Sequence, residues 1–125
     1  RKKLQKRTEK YSQVHVLGQI DNVPKLMQGT DVFLTKPGGL STSEAVAANL
    51  PMVLIDAVAG CEEHNLDYFL RAGMAVTTDT PEEIASLALS LAHDEARLSS
   101  MRNAMQESTA RPAAEVICDW LQAHR

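Results

Sequence analysis

Residues 32–56 read VFLTKPGGLSTSEAVAANLPMVLID. An apolar run, Val32 to Leu34, enters a Pro-Gly-Gly turn. A Ser/Thr cluster and an Ala-rich segment follow, then Pro51 and a second apolar run, Met52 to Ile55. The pattern predicts strand, glycine loop, helix over 41–49, strand. A helix that opens at a loop points its unpaired N–H groups at whatever occupies that loop, and such an end favours phosphate. The expectation is that this loop holds a nucleotide diphosphate. Pro37-Gly38-Gly39-Leu40-Ser41-Thr42 lacks the Gly-Lys-Ser/Thr ending of a P-loop and is not GxGxxG, so neither Mg-ATP hydrolysis nor a dinucleotide fingerprint is indicated. A Gly-Gly pair alone also fits a plain tight turn.

Outward from this stretch, strand and helix alternate between residues 14 and 77. Val14–Leu17 predicts a short strand. Asp21 is the expected cap of a short helix through Met27, closed by Gly29. Glu62–Arg71 predicts a helix, with Leu66, Phe69 and Leu70 at helical spacing and Gly73 as its stop. Met74–Thr77 predicts a last strand. Thr80-Pro81-Glu82-Glu83 opens a helix to about His93. Asp94 caps another, with Met101 and Met105 inward, and Pro112 opens a final one with an apolar stripe of Val116, Ile117, Trp120 and Leu121. The fold class expected is α/β, an incomplete doubly wound parallel sheet with a helical C-terminal tail. In such sheets ligands bind at the carboxyl ends of the strands. The loops 18–22, 36–42 and 57–65 all belong to that edge.

Composition narrows the classes. With 125 residues the chain forms one domain at most. Hydrophobic residues make up 44% and aromatics 4%, so the core must be aliphatic. A net charge of −3 argues against general nucleic-acid binding. Cys61 and Cys118 form neither a zinc pattern nor a disulfide framework, which points to a reducing, cytoplasmic setting. No apolar run reaches the roughly 20 residues of a membrane span. Residues 1–10, RKKLQKRTEK, carry basic groups against Glu9 alone. They read as an exposed helix end, or as a patch for an anionic membrane surface. The chain opens at Arg1 inside this charged run, as a piece of a longer protein would.

The side chains near the expected site allow two readings each. Ser41 and Thr42 put hydroxyls in the first turn of the helix. Glu44 can accept two ribose hydroxyls, or can be an acid offsetting the helix macrodipole. Glu62 and Asn65, at i and i+3, can face one ligand edge, with the same alternative for Glu62. His64 has no partner at metal-ligand spacing, so no metal site is expected. Cys61 lacks a base, so no catalytic nucleophile is expected.

Three segments together carry a resemblance: VHVLGQIDNVPKLM (14–27), DVFLTKPGGLSTSEAVAANLPMVLID (31–56) and AGCEEHNLDYFLRAG (59–73). They resemble the C-terminal donor-binding domain of family 28 glycosyltransferases, which have the GT-B fold. Among these, the likeness is to the monogalactosyldiacylglycerol synthases and processive diacylglycerol glucosyltransferases. The resemblance covers about residues 1–120. It implies a UDP-hexose donor as substrate, no separate cofactor, and a lipid acceptor, diacylglycerol. The parent enzyme would be a hexosyltransferase of glycolipid synthesis, peripheral at the membrane.

By position, Gln19 and Ile20 would offer backbone groups to the uracil. Gly38, Gly39, Ser41 and Thr42 would hold the diphosphate, and Glu44 the ribose. Cys61 and Glu62 would sit where the sugar is read, with Asn65 beside them. The family usually has Gln at the position of Cys61, and a thiol is a poorer hydrogen-bonding group than an amide, so no sugar-reading amide carries over. A UDP-N-acetylglucosamine 2-epimerase-like enzyme, which also holds UDP on a Gly-Gly loop, and a non-catalytic nucleotide-binding module are the alternatives.

The resemblance also implies that residues 1–125 are a partial domain. The family's strand order is 3-2-1-4-5-6, and strands 1 and 2 would belong between 14–17 and 32–35. The acceptor domain, which supplies the catalytic base, would lie outside the chain. Strands built to be buried then present open edges. The expectation is either closure of the 14–17 strand onto the 32–35 strand or self-association.

Overall fold

The computed structural model describes residues 1–124. Among them, three strands form one parallel sheet in the order β1 (Phe33–Thr35), β2 (Met52–Leu54), β3 (Ala75–Val76). Phe33 aligns with Met52, and Met52 with Ala75. Helix α1 (Lys2–Thr8) and helix α2 (Val23–Gln28) precede β1. Helix α3 (Gly39–Ala47) joins β1 to β2, and α4 (Cys61–Arg71) joins β2 to β3. A 3-10 turn, Pro81–Glu83, leads into α5 (Ile84–Ala92), followed by α6 (Glu95–Ser108) and α7 (Ala113–Ala123).

The middle strand explains the layering. Side chains alternate across a strand, so Met52 and Leu54 enter one core while Val53 enters another, and all three are fully buried. The first core adds Met27, Ala45, Val46, Leu50, Phe69 and Met105; the second adds Val76, Leu91, Leu98 and Met101. A strand apolar on both sides is what a sheet covered on two faces requires. The expected α/β class and parallel sheet are therefore present, and the core is aliphatic as composition demands.

Helices α3 and α4 stop in the same way. Asn49 (φ 52°) and Gly73 (φ 71°) turn left-handed just past the helix. Leu50 N–H then donates to Ala45 O at 2.9 Å and Met74 N–H to Phe69 O at 3.0 Å. Both are Schellman endings, and each delivers a buried apolar residue to the start of a strand. Helix α3 thus runs over 39–47 rather than 41–49, because Asn49 serves as its stop. Asn22, not Asp21, caps α2, accepting from Lys25 N–H at 3.4 Å. Asp94 caps α6 as expected, accepting from Arg97 N–H at 3.0 Å.

Val14–Leu17 forms no strand among the described residues. Val14 and Leu17 are largely exposed. An apolar alternation becomes a strand only where a neighbour takes its backbone groups, and among the described residues β1 pairs with β2 alone. The expected closure of 14–17 onto β1 does not occur, and the outer edge of β1 stays open, with Leu34 exposed. The stripe on α7 is real but uncovered: Val116, Ile117, Trp120 and Leu121 are all exposed.

Candidate functional site

The loop between β1 and α3 sits at the carboxyl edge of the sheet. Its backbone is fixed from both sides. Pro37 is fully buried, and its carbonyl accepts a bond from Asn65 Nδ2 in α4 at 2.9 Å. Gly38 N–H donates to Lys36 O at 2.8 Å. Gly38 is the N-cap of α3, and Thr42 N–H makes the first helical bond, to Gly38 O at 3.2 Å. The N–H groups of Gly39, Leu40 and Ser41 precede any intrahelical acceptor.

The glycines themselves are informative. Gly38 has φ −75° and ψ 143°, which any residue adopts. Gly39 is helical with negative φ. A Cβ built on either would meet nothing within 4 Å. Neither conformation nor packing inside the chain demands glycine at these two positions. What glycine gives here is an uncovered backbone that another molecule can approach closely. Gly60 is the opposite case: φ 99° and ψ −121° is a glycine conformation.

The expected site residues separate by role. Thr42 is fully buried, and its hydroxyl donates to Gly38 O at 2.7 Å. Of the two first-turn hydroxyls, only that of half-buried Ser41 remains at the surface of the loop. Glu44 lies beyond the first turn, since α3 opens at Gly39 and its first turn holds no acid; the macrodipole reading of Glu44 is therefore displaced. It is exposed and borders a groove with Pro24, Met27 and Gln28 of α2. Gln19 and Ile20 line a separate cleft on α2, with Asn22, Lys25 and Leu26. Helix α2 thus stands beside both.

On α4, Glu62 and Glu63 occupy the first turn. Glu62 accepts from Val58 N–H at 2.8 Å and Glu63 from Gly60 N–H at 3.2 Å. Both shape the 57–60 loop. Asn65 is committed to Pro37 and holds the glycine loop, a contact its i, i+3 spacing from Glu62 does not disclose. Cys61 opens α4 and is exposed.

Sequence reading missed a pair at the same edge. Lys36 Nζ lies 2.8 Å from Asp56 Oδ2, joining the ends of β1 and β2. The hydrogen bond to Asp56 and that carboxylate's charge push the Lys36 ammonium above its ordinary pKa; desolvation opposes this, and Glu62 adds to it. The available signal was that Lys36 is the one Lys or Arg between Lys25 and Arg71. Among the described residues no cluster of His, Cys, Asp and Glu is arranged to hold a metal. No helix among them is long and apolar enough to cross a membrane.

Residues 1–111 match the family described as glycosyl transferases group 1. The chain belongs to this family. The group 1 glycosyltransferase domain is 33% identical to the processive diacylglycerol β-glucosyltransferase of Staphylococcus carnosus (strain TM300), over 92% of this chain and 29% of the relative. It is 35% identical to the enzyme of that name from Bacillus cereus (strain AH187), over 86% and 28%, and 32% identical to that of Bacillus subtilis (strain 168), over 89% and 29%. The domain thus spans less than a third of the length of these relatives. A solved glycotransferase of kitacinnamycin shares its fold, with TM-score 0.54 and 23% identity over 78% of this chain and 29% of that one. The resemblance to glycosyltransferases read from the three segments is borne out, as is its direction towards the diacylglycerol glucosyl enzymes.

Proposed function

We propose that this domain is the donor-nucleotide-binding part of a UDP-sugar-dependent hexosyltransferase that acts on a lipid acceptor, diacylglycerol. The observation that carries the reading is the glycine pair. Gly38 and Gly39 leave a fixed backbone bare at the N-terminus of α3, where folding asks for no glycine. A diphosphate is the ligand that such donors suit. The relatives' names supply the sugar-transfer chemistry and the acceptor class.

The parts then take these roles. The N–H groups of Gly39, Leu40 and Ser41, with the Ser41 hydroxyl, hold the diphosphate. Thr42 supports the turn from inside. Glu44 takes the ribose hydroxyls, and the segment Gln19–Ile20 takes the uracil. Cys61 and the loop shaped by Glu62 lie against the transferred sugar, with Asn65 keeping that loop's helix registered to Pro37. An acceptor hydroxyl attacks the anomeric carbon, the bond from that carbon to the diphosphate oxygen breaks, and UDP leaves with the electron pair. The helix end stabilises the charge that develops on it. The base belongs to the remainder of the parent protein, so residues 1–125 act as a partial domain.

Basic residues on α1 favour contact with anionic lipid at the cytoplasmic face, with the parent peripheral there. The open edge of β1 favours self-association of the isolated domain. Calorimetric titration of the full-length protein tests the reading: UDP binds at least about tenfold tighter than ADP, the discrimination expected of one base-reading hydrogen-bond set. Equal affinity for the two would overturn it.

A further inference from the structure

The Lys36–Asp56 pair at the strand ends takes no part in the donor contacts proposed for the glycine loop, Glu44 and the 19–20 segment. Lys36 follows β1 directly, Asp56 lies two residues past the end of β2, and their side chains meet at 2.8 Å while remaining 53% and 75% exposed. An ion pair so exposed contributes little to stability. Asp56 has φ 54°, in the positive range that Asp and Asn take more readily than other non-glycine residues.

Charge gives the pair its meaning. The residues from the glycine loop through the first turn of α4 carry Glu44, Asp56, Glu62 and Glu63, against Lys36 as the one Lys or Arg. A diphosphate brought to this edge meets carboxylates, and backbone N–H groups alone would have to offset them. Lys36 stands two residues ahead of the N-cap Gly38, and its own carbonyl is bonded to Gly38 N–H. Its flexible four-carbon stem lets the ammonium swing about a fixed backbone. Glu62, whose charge also acts on it, is already engaged with Val58 N–H.

We propose that Lys36 is the cationic contact for the donor's diphosphate, and that its ammonium exchanges Asp56 for the phosphates when the donor binds. The proposal rests on the UDP-donor reading of the site. In the empty site Asp56 keeps the ammonium at the sheet edge and partly neutralised. In the filled site the ammonium joins the helix end in countering the leaving group's charge.

Titration of the full-length protein and its variants with UDP and with uridine, which lacks phosphates, decides it. Lys36→Met weakens UDP about tenfold or more, the range of one charge-assisted bond, and leaves uridine unchanged. Lys36→Arg keeps UDP affinity within about threefold, since a cation of similar reach remains. Asp56→Asn leaves UDP affinity unchanged or raises it, because a competing carboxylate is gone. Equal weakening of UDP and uridine by Lys36→Met, or no weakening of either, overturns the proposal while the donor reading stands. A wild-type protein that binds neither ligand overturns both.

Discussion

Two strand–loop–helix units lie side by side in this domain, and their glycines do different work. In the β1–α3 unit, Gly38 and Gly39 sit in conformations open to any residue, with empty space where a side chain would go. In the β2–α4 unit, Gly60 sits at φ 99°, and the turn depends on it. Under the proposed function the first pair serves a ligand, whereas Gly60 serves the chain's own turn. An uncovered backbone in one unit thus stands against a conformationally required glycine in the other. This contrast favours the β1–α3 unit as the one that holds the nucleotide under the proposed function. The loop before α4 is shaped by its own carboxylates, Glu62 on Val58 and Glu63 on Gly60. The loop before α3 is held from behind, by Asn65 and by buried Pro37, and leaves its N–H groups forward.

Substitutions in each unit test the difference between them. The largest effect is expected at Glu44. Glu44→Ala in the full-length protein weakens UDP about 10- to 100-fold, the loss of two hydrogen bonds to a charged group, with the midpoint of thermal unfolding unchanged, since Glu44 is exposed. A fall in the unfolding midpoint with UDP affinity intact would return Glu44 to a structural role.

In the second unit the signature reverses. Gly60→Ala costs about 1–3 kcal/mol of stability, the range for a non-glycine residue in such a conformation, read by denaturant unfolding. A stable variant would show that the turn relaxes and that the distinction between the units fails.

The smallest effect falls on the link between them. Asn65→Ala removes the bond to Pro37 O and costs about 1 kcal/mol, and UDP affinity drops by a few-fold as the glycine loop loosens. Loss of stability with no change in UDP affinity would mean that the loop keeps its shape without α4.

Most of the fold was legible because its signals are local. The apolar run at 52–55, flanked by turn residues, identified a strand covered on both faces. Pro112 and Asp94 opened helices where helix-start chemistry places them. Gly73 closed α4 because a left-handed stop favours glycine. Asn49 does the same for α3, but Asn also suits a helix end in other ways, so the boundary was set two residues late. Val14–Leu17 misled for a different reason. Its alternation is that of a strand, yet strandhood depends on a neighbour, and neighbours are not written in the segment itself.

The site was legible as a place and less so as a set of contacts. The loop, the helix start and the sheet edge follow from spacing. That the Thr42 hydroxyl turns inward depends on helix phase, which shifted when α3 opened at Gly39. That Asn65 serves Pro37, and Lys36 meets Asp56, depends on distant residues brought together by the parallel pairing of β1 and β2.

The central claim is that Gly38 and Gly39 are kept for a ligand and not for the fold. Gly39→Ala in the full-length protein, followed by both unfolding and UDP titration, tests it most directly. Alanine in a helical position is favoured over glycine by up to about 1 kcal/mol, so stability is predicted to be unchanged or raised. UDP affinity is predicted to fall at least about tenfold, because the new methyl group keeps the diphosphate from the N–H groups and weakens a charge-assisted bond. A destabilised variant that binds UDP as well as the parent would contradict the account.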